Sequence, residues 1–386
     1  MQVISMQKGS YDIIVVGGGI AGVSAAVCAA REGKKVLLIE KHINLGGLAT
    51  IGLISWFEPL CDGNRRQMIG GIGQELINLA IGCGYDNLPE HWGGRSGNAP
   101  LSDRYSTYYS PTFFSLCLDK LLRDNNVEIL YDTLATYPEM NGNICMGITA
   151  ENMDGRSFYA AKVVIDATGD ATIASRAGIP TRCARNAQTL VVHDVNRETA
   201  AEFADSGNMV KLRHWQWIKP SNEILPEVNI KSENEYLARC KKAALQNYEG
   251  TDKNLREILS LPQMPQLRVI RTIVGDVIFK AENNDRDNPA KRSIGSMGDF
   301  AHNDYRFDIP YECIYNSEYP NILCAGRIVS AEDNGIGVLR VIPGCCVTGQ
   351  AAGVAAAVMA DTGKQQSDIY PNVKEILQKQ KVIFNI

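Results

Sequence analysis

Tyr11-Asp12-Ile13-Ile14-Val15-Val16-Gly17-Gly18-Gly19-Ile20-Ala21-Gly22 is the stretch from which the rest of the chain can be read. Tyr11 to Val16 is a short β-branched run, suited to a strand buried on both faces of a parallel sheet. The glycines end it. Val23 to Arg31 is alanine-rich and reads as a helix closed by Glu32-Gly33, and Lys35-Val-Leu-Leu-Ile-Glu40 is the next strand. Strand, turn, helix and strand in this order make a βαβ unit with a right-handed crossover. Within it, Gly17-x-Gly19-x-x-Gly22 has the spacing that binds a dinucleotide pyrophosphate. Gly17 turns the chain and Gly19 lets backbone approach a phosphate, while the helix start beyond Ile20 and Ala21 offers unpaired N–H groups to it. Glu40 closes the second strand, where its carboxylate can accept the hydroxyls of a ribose and would repel a 2′-phosphate; Lys41 follows it.

Outward from this unit, Ser110 to Arg123 carries apolar residues at helical spacing, with Ser110-Pro111 as its cap and first turn. Val127 to Tyr131 reads as a further parallel strand. Strands around Cys145–Ala150 and Ser157–Ala160 flank Asp154-Gly155, a hairpin turn. Lys162 to Ala167 is another strand. Beyond residue 186 the chain becomes more charged, and Glu198 to Leu267 reads as mostly helical, with Glu233 to Tyr248 the clearest amphipathic helix. Asn321 to Ala325 returns as a strand, and a helix from Val347 to Asp361 follows. The expected fold is α/β: a three-layer Rossmann-like domain with a parallel sheet and a β-meander, split into residues 1–186 and 316–386. A second, α+β domain over 187–315, with a helical insertion at 198–262, would supply a substrate cap.

Composition narrows the function. With 39 Lys and Arg against 43 Asp and Glu, the formal charge of −4 gives no basic groove for nucleic acid. The eleven cysteines are scattered without a C-x-x-C, as reduced thiols of a cytoplasmic protein would be. Met1 to Ser10 lacks the apolar core of a secretory signal, and no run of about 18 apolar residues reads as a membrane span. No metal-ligand spacing is present.

The fingerprint alone leaves NAD and FAD open. Gly46-Gly47-Leu48-Ala49-Thr50 follows the second strand at once, where an NAD domain would enter a helix, and suits a flavin lying across the domain. Ala167-Thr168-Gly169 and Ala325-Gly326-Arg327 end later strands with small residues beside the same ligand. Thr348-Gly349-Gln350-Ala351 reads as the opening of a helix whose dipole would stabilise charge on a reduced flavin. In their order, GGGIAG, GGLAT, DATGD, NILCAGRIVSAED and TGQAAGVAAA resemble the FAD-dependent oxidoreductases related to the fumarate reductase and succinate dehydrogenase flavoproteins, with a glutathione-reductase-type FAD domain. The resemblance covers nearly the whole chain except residues 195–262. It implies FAD as cofactor, and non-covalent FAD, because covalent relatives carry a histidine six residues before the glycine doublet whereas His42 stands four before Gly46. Relatives place an acid after the glycine of the last strand to hold the ribityl chain; here that residue is Arg327, which leaves Glu332 or a backbone group for the task.

The resemblance leaves the substrate open. Flavin chemistry asks the protein for position, an electrostatic handle and sometimes a proton carrier. Arg268 and Arg271 are candidates to clamp a carboxylate, Arg340 to meet cofactor or substrate, and His193 or His302 to act as acid and base. Cys345-Cys346 reads as small buried thiols rather than a redox pair. The expected activity is hydride transfer between a small organic substrate and flavin N5, with electron donor or acceptor and oligomeric state open. Two alternatives stand beside it: a flavoprotein acting on nucleic acid in the manner of tRNA modification, and a non-redox or isomerising flavoprotein.

Overall fold

The computed structural model describes residues 6–82, 88–92, 94, 102–207, 209–252, 254–281, 290–299 and 301–384. Its largest sheet is built around Met6–Val16, in which Ile13, Ile14 and Val15 are fully buried. This strand pairs in parallel with Val36–Ile39 on one side and Gly155–Asp166 on the other, and Val36–Ile39 pairs in turn with Glu128–Leu130. A strand covered on both faces has no polar side, which is why the sequence there alternates with nothing.

Gly155–Asp166 does two jobs in one continuous strand. Its first half forms an antiparallel hairpin with Ile144–Asn152, and its last residues pair in parallel with Ile322–Cys324. The sequence reading divides it into two strands; the pairing joins them. Leu134–Asn141 completes the meander, and the return of Ile322–Cys324 brings the end of the chain back into the first sheet.

Two helices lie against one face of this sheet. Ile20–Arg31 begins directly at Gly19, three residues before the expected start. The long helix Ile342–Thr362 crosses it at very short range. A Cβ on Gly349 would sit 2.3 Å from the carbonyl oxygen of Ala21, and one on Gly353 would sit 2.2 Å from that of Ala25. These glycines therefore serve backbone-to-backbone packing. The expected helix opening at Gly349 is corrected: the helix starts at Ile342, and Thr348 to Ala351 lie in its buried interior. By length and composition this helix could cross a membrane, yet 89% of its most apolar window is buried inside the fold.

The second body is a three-stranded antiparallel sheet, His214–Ile218, Leu190–Asn196 and Arg256–Ser260, covered by the helix Ile230–Glu249. Asn229 caps that helix, accepting from the N–H groups of Lys231 and Ser232. Tyr236, Cys240 and Ala244, one helical face, pack on Leu190, Val192, Ile218 and Leu267. The mostly helical reading of 198–267 is thus corrected by three strands, His214–Ile218, Ile224–Leu225 and Arg256–Ser260. His214-Trp-Gln-Trp-Ile218 alternates polar and apolar groups with period two, the strand pattern. Val191, Trp215 and Trp217 lie outside that helix-covered core, and Trp215 meets Trp56 and Tyr108.

Candidate functional site: a two-chambered cleft

Between the two bodies runs a cleft with two chambers. The first, about 370 Å³, is a groove bounded by Gly17, Gly19, Ile20 and Ala21, by Glu40 to His42, and by Ala167 to Asp170. Gly17 has φ +101°, a left-handed conformation, and a Cβ there would meet the Ala167 carbonyl oxygen at 2.5 Å. Gly22 is tighter still, at 1.8 Å from the Gly17 carbonyl oxygen, so it fixes the turn without lining the groove. At Gly19 a Cβ would meet nothing within 4 Å. The first turn of the opening helix has no side-chain cap, and its N–H groups face this open space.

Glu40 is buried, with one carboxylate oxygen 2.5 Å from the Gly18 nitrogen and the other 2.9 Å from that of His42. The remaining lone pairs are free for a ribose diol. His42 also lines the groove, and its buried Nε2 has no partner among the described residues. Burial lowers the pKa of this ring, which keeps it neutral, against the pull of Glu40. A glycine cradle, an open helix start, a free acceptor and an unpaired ring nitrogen are the features a dinucleotide needs, so the residues fit one. Gly46 donates to the Gly18 carbonyl at 2.8 Å, bringing the glycine doublet and Leu48 and Ala49 to the groove.

The other sequence-derived residues divide. Thr168 and Gly169 line the groove beside Asp166, whose carboxylate accepts from the Thr168 N–H and hydroxyl and stiffens the loop. Gly326 and Arg327 line it too; Arg327 packs against Gly169 and donates to the Leu267 carbonyl. Thr50 turns inward to bond the Leu45 carbonyl. Glu332 is held by Arg182 and Lys280, away from both chambers. Thr348 accepts from the Gly326 N–H at 3.0 Å and so supports that turn from behind. Gln350 accepts from Ile72 and donates to Gln380 on the far side of its helix. These four act on the scaffold.

The second chamber, about 400 Å³, shares Leu48, Ala49, Arg340 and Ile342 with the groove, so the two open into each other. Trp56, Tyr108, Trp215 and Trp217 wall it, and Arg268, Arg340 and Glu58 supply its charge. Trp56 and Tyr108 face each other on two paired strands at 4.1 Å between ring centroids, and Trp215 lies 5.1 Å from Tyr108. Val341 caps the long helix at the junction, so its positive end faces the place where the chambers meet. Sequence reasoning missed the aromatic walls; the alternation at Trp215 and Trp217 was the one signal available for them.

The catalytic candidates are redistributed. Arg271 donates to the Asp170 carbonyl and to Ser175, bracing the groove loop, so the paired clamp of Arg268 and Arg271 is not formed. Arg340 stands beside Arg268 instead. His302 is exposed, paired with Asp299 at 2.5 Å and in neither chamber. His193 is buried behind Trp215, stacked on it at 5.3 Å with Nε2 3.1 Å from the Leu53 carbonyl oxygen. Burial lowers its pKa to about 4, so it is neutral at neutral pH and outside the chambers. Cys345 lies in the first turn of the long helix at the groove wall, its thiol pushed up to about 11 by burial, and Cys346 is turned into the core. All ten described cysteines are free thiols.

The neutral His193 has a measurable consequence. Because its folded pKa lies below the unfolded value near 6.5, acidification protonates the unfolded chain first. Stability should therefore fall as the pH drops from about 6.5 toward 4. In His193→Phe, which keeps the stack, the loss between pH 7 and 4.5 shrinks by on the order of 2 kcal/mol in denaturant titrations. Equal losses in both proteins would contradict the assignment.

The profile of the FAD dependent oxidoreductase family matches residues 12–288 and 271–380. The chain belongs to this family. Its cofactor is FAD, and it is an oxidoreductase. Over 205 residues it is 29% identical to a digeranylgeranylglycerophospholipid reductase of Methanocella arvoryzae, covering 51% of this chain and 46% of that one. With the protein of the same name from Methanoculleus marisnigri it shares 25% identity over 238 residues, 58% and 56% of the respective lengths. The chain thus spans about half the length of these curated relatives. Among solved structures, the flavin-dependent brominase Bmp2 superposes with a TM-score of 0.50 at 15% identity, over 96% of this chain and 84% of that one, a likeness of fold.

Proposed function

We propose that this FAD-dependent oxidoreductase catalyses hydride transfer between the flavin and a small organic substrate held in the aromatic chamber. The observation that carries the reading is the continuity of the two chambers through Leu48, Ala49, Arg340 and Ile342. When bound, FAD supplies a two-electron carrier that takes or gives a hydride at N5. Gly17 to Gly19 and the opening helix hold its phosphates, and Glu40 its ribose. Leu48, Ala49 and Ile342 form the apolar junction that keeps water from the reacting carbon, while the helix end at Val341 favours negative charge there.

Proton handling falls to the chamber's own acids. Glu58 and Tyr108 are its titratable carboxyl and hydroxyl groups, and Glu58 accepts from the Trp56 indole at 2.6 Å. Burial, with Glu58 adding to it, raises the Tyr108 pKa and keeps its proton on, so Tyr108 suits a donor and Glu58 an acceptor.

The test is to plug the chamber. Anaerobic screening of small acids, alcohols and their oxidised counterparts should find one that bleaches or restores the visible flavin absorbance. Ile54→Trp fills the chamber and spares the groove, whose lining does not include residue 54. It should retain the absorbance spectrum and slow that reaction by at least ~100-fold. Unchanged rates in Ile54→Trp would place the chemistry elsewhere.

A further inference from the structure

The aromatic chamber carries an unusual electrostatic feature. Among the described residues, neither the Arg268 nor the Arg340 guanidinium has a hydrogen-bond acceptor or a carboxylate within ion-pair distance. Elsewhere in this protein the partly buried Arg256 is paired with Asp194, and Arg31 with Glu75. Glu58, the acid of the chamber, is engaged with the Trp56 indole and makes no ion pair with either guanidinium. Arg340 is half-buried and Arg268 is exposed beside it; an arginine cannot shed its proton to escape the cost of burial, so the unpaired Arg340 cation, next to a second one, calls for a counter-charge from outside.

The aromatic side chains of the same chamber indicate what that counter-charge is attached to. Trp56, Tyr108 and Trp215 meet edge to face, with centroid separations of 4.1, 5.1 and 6.5 Å and interplanar angles of 64–72°. Their faces and edges form an apolar slot for a flat group. A guanidinium fork takes carboxylate or phosphate alike, so it is the flatness of the slot that favours a planar carboxylate conjugated with its own ring over a tetrahedral phosphate.

We infer that the substrate is a small planar carboxylate, aromatic or conjugated, whose carboxyl group is taken by Arg268 and Arg340 and whose unsaturated body lies against Trp56, Tyr108 and Trp215. This rests on the functional reading above, since it names the substrate class of the same chamber. Burial, and then the nearness of Arg268, lowers the pKa of Arg340 to about 10, in keeping with a cation awaiting a partner.

Tryptophan-fluorescence titrations of the holoenzyme test it with unreactive probes: benzoate and cinnamate, their uncharged amides, cyclohexanecarboxylate and phenyl phosphate. Each aromatic carboxylate should bind at least ~30-fold tighter than its amide and ~10-fold tighter than cyclohexanecarboxylate. Arg268→Gln, at an exposed side chain, should remove at least ~10-fold of the carboxylate affinity, with amide affinity and FAD content unchanged. Amides binding as well as acids, phenyl phosphate binding tighter than benzoate, or an unaffected Arg268→Gln would each overturn the inference. The flavin-absorbance screen separates the failures: an intact carboxylate preference in holoenzyme whose flavin no substrate bleaches or restores leaves the binding inference standing while the hydride-transfer reading falls.

Discussion

Gly19→Leu should give folded protein that purifies without its yellow cofactor. The backbone at Gly19 has φ −67°, within reach of any residue, and a Cβ meets no atom within 4 Å. The fold therefore tolerates the side chain. What it occupies is the space that the opening helix offers to the pyrophosphate, and FAD affinity should fall by at least ~100-fold, or about 2.7 kcal/mol. Gly22→Leu makes the control. Its Cβ would stand 1.8 Å from the Gly17 carbonyl oxygen, a backbone atom that cannot yield, so this variant should lose the turn itself and several kcal/mol of stability. Flavin absorbance per chain, with a thermal melt of each apoprotein, reads the contrast. A Gly19→Leu protein with full flavin content would contradict the placement of the phosphates.

Arg340→Met should be more stable and much less active. Arg340 borders both chambers and has no partner among the described residues. Its folded pKa lies near 10, below the usual arginine value. A base with a lowered pKa binds fewer protons folded than unfolded between those two values, so stability rises with pH through that window. At neutral pH the whole cost of the cation is present. Methionine keeps the stem and removes the cost, so the melting temperature of the ligand-free protein should rise, by about 1 °C for each kcal/mol gained in a chain of this size. The same charge is the handle on an anionic substrate and on charge gathered at the junction, and its loss should lower kcat/KM by roughly 10²–10³-fold. A raised melting temperature with lost turnover is the signature of a site kept at the expense of the fold. A variant that is destabilised and fully active would reverse the assignment.

How much of this was legible depends on whether the signal was local. Tyr11 to Glu40 announces strand, turn, helix and acid within thirty residues, and the groove was readable because the turn contacts the ligand through its own backbone. The aromatic chamber was not. It joins Trp56, Tyr108, Trp215 and Arg340 from four separate segments, and nothing in any one of them points to the others. The run around Gly349 misled because close helix crossing and close ligand approach both demand glycine, and only the position of Ala21 and Ala25 decides which is meant. His193 and Arg271 failed for a similar reason. Each has the right chemistry, but one ring is stacked behind Trp215 and the other side chain is spent on the Asp170 carbonyl.

A crystal structure of the yellow holoenzyme soaked with benzoate addresses the account most directly. It should show the dinucleotide phosphates over Gly17 to Gly19, the flavin ring ending at Leu48, Ala49 and Ile342, and the carboxylate between Arg268 and Arg340. A ring directed away from that junction, or an aromatic chamber sealed off from it when the cofactor is bound, would contradict it.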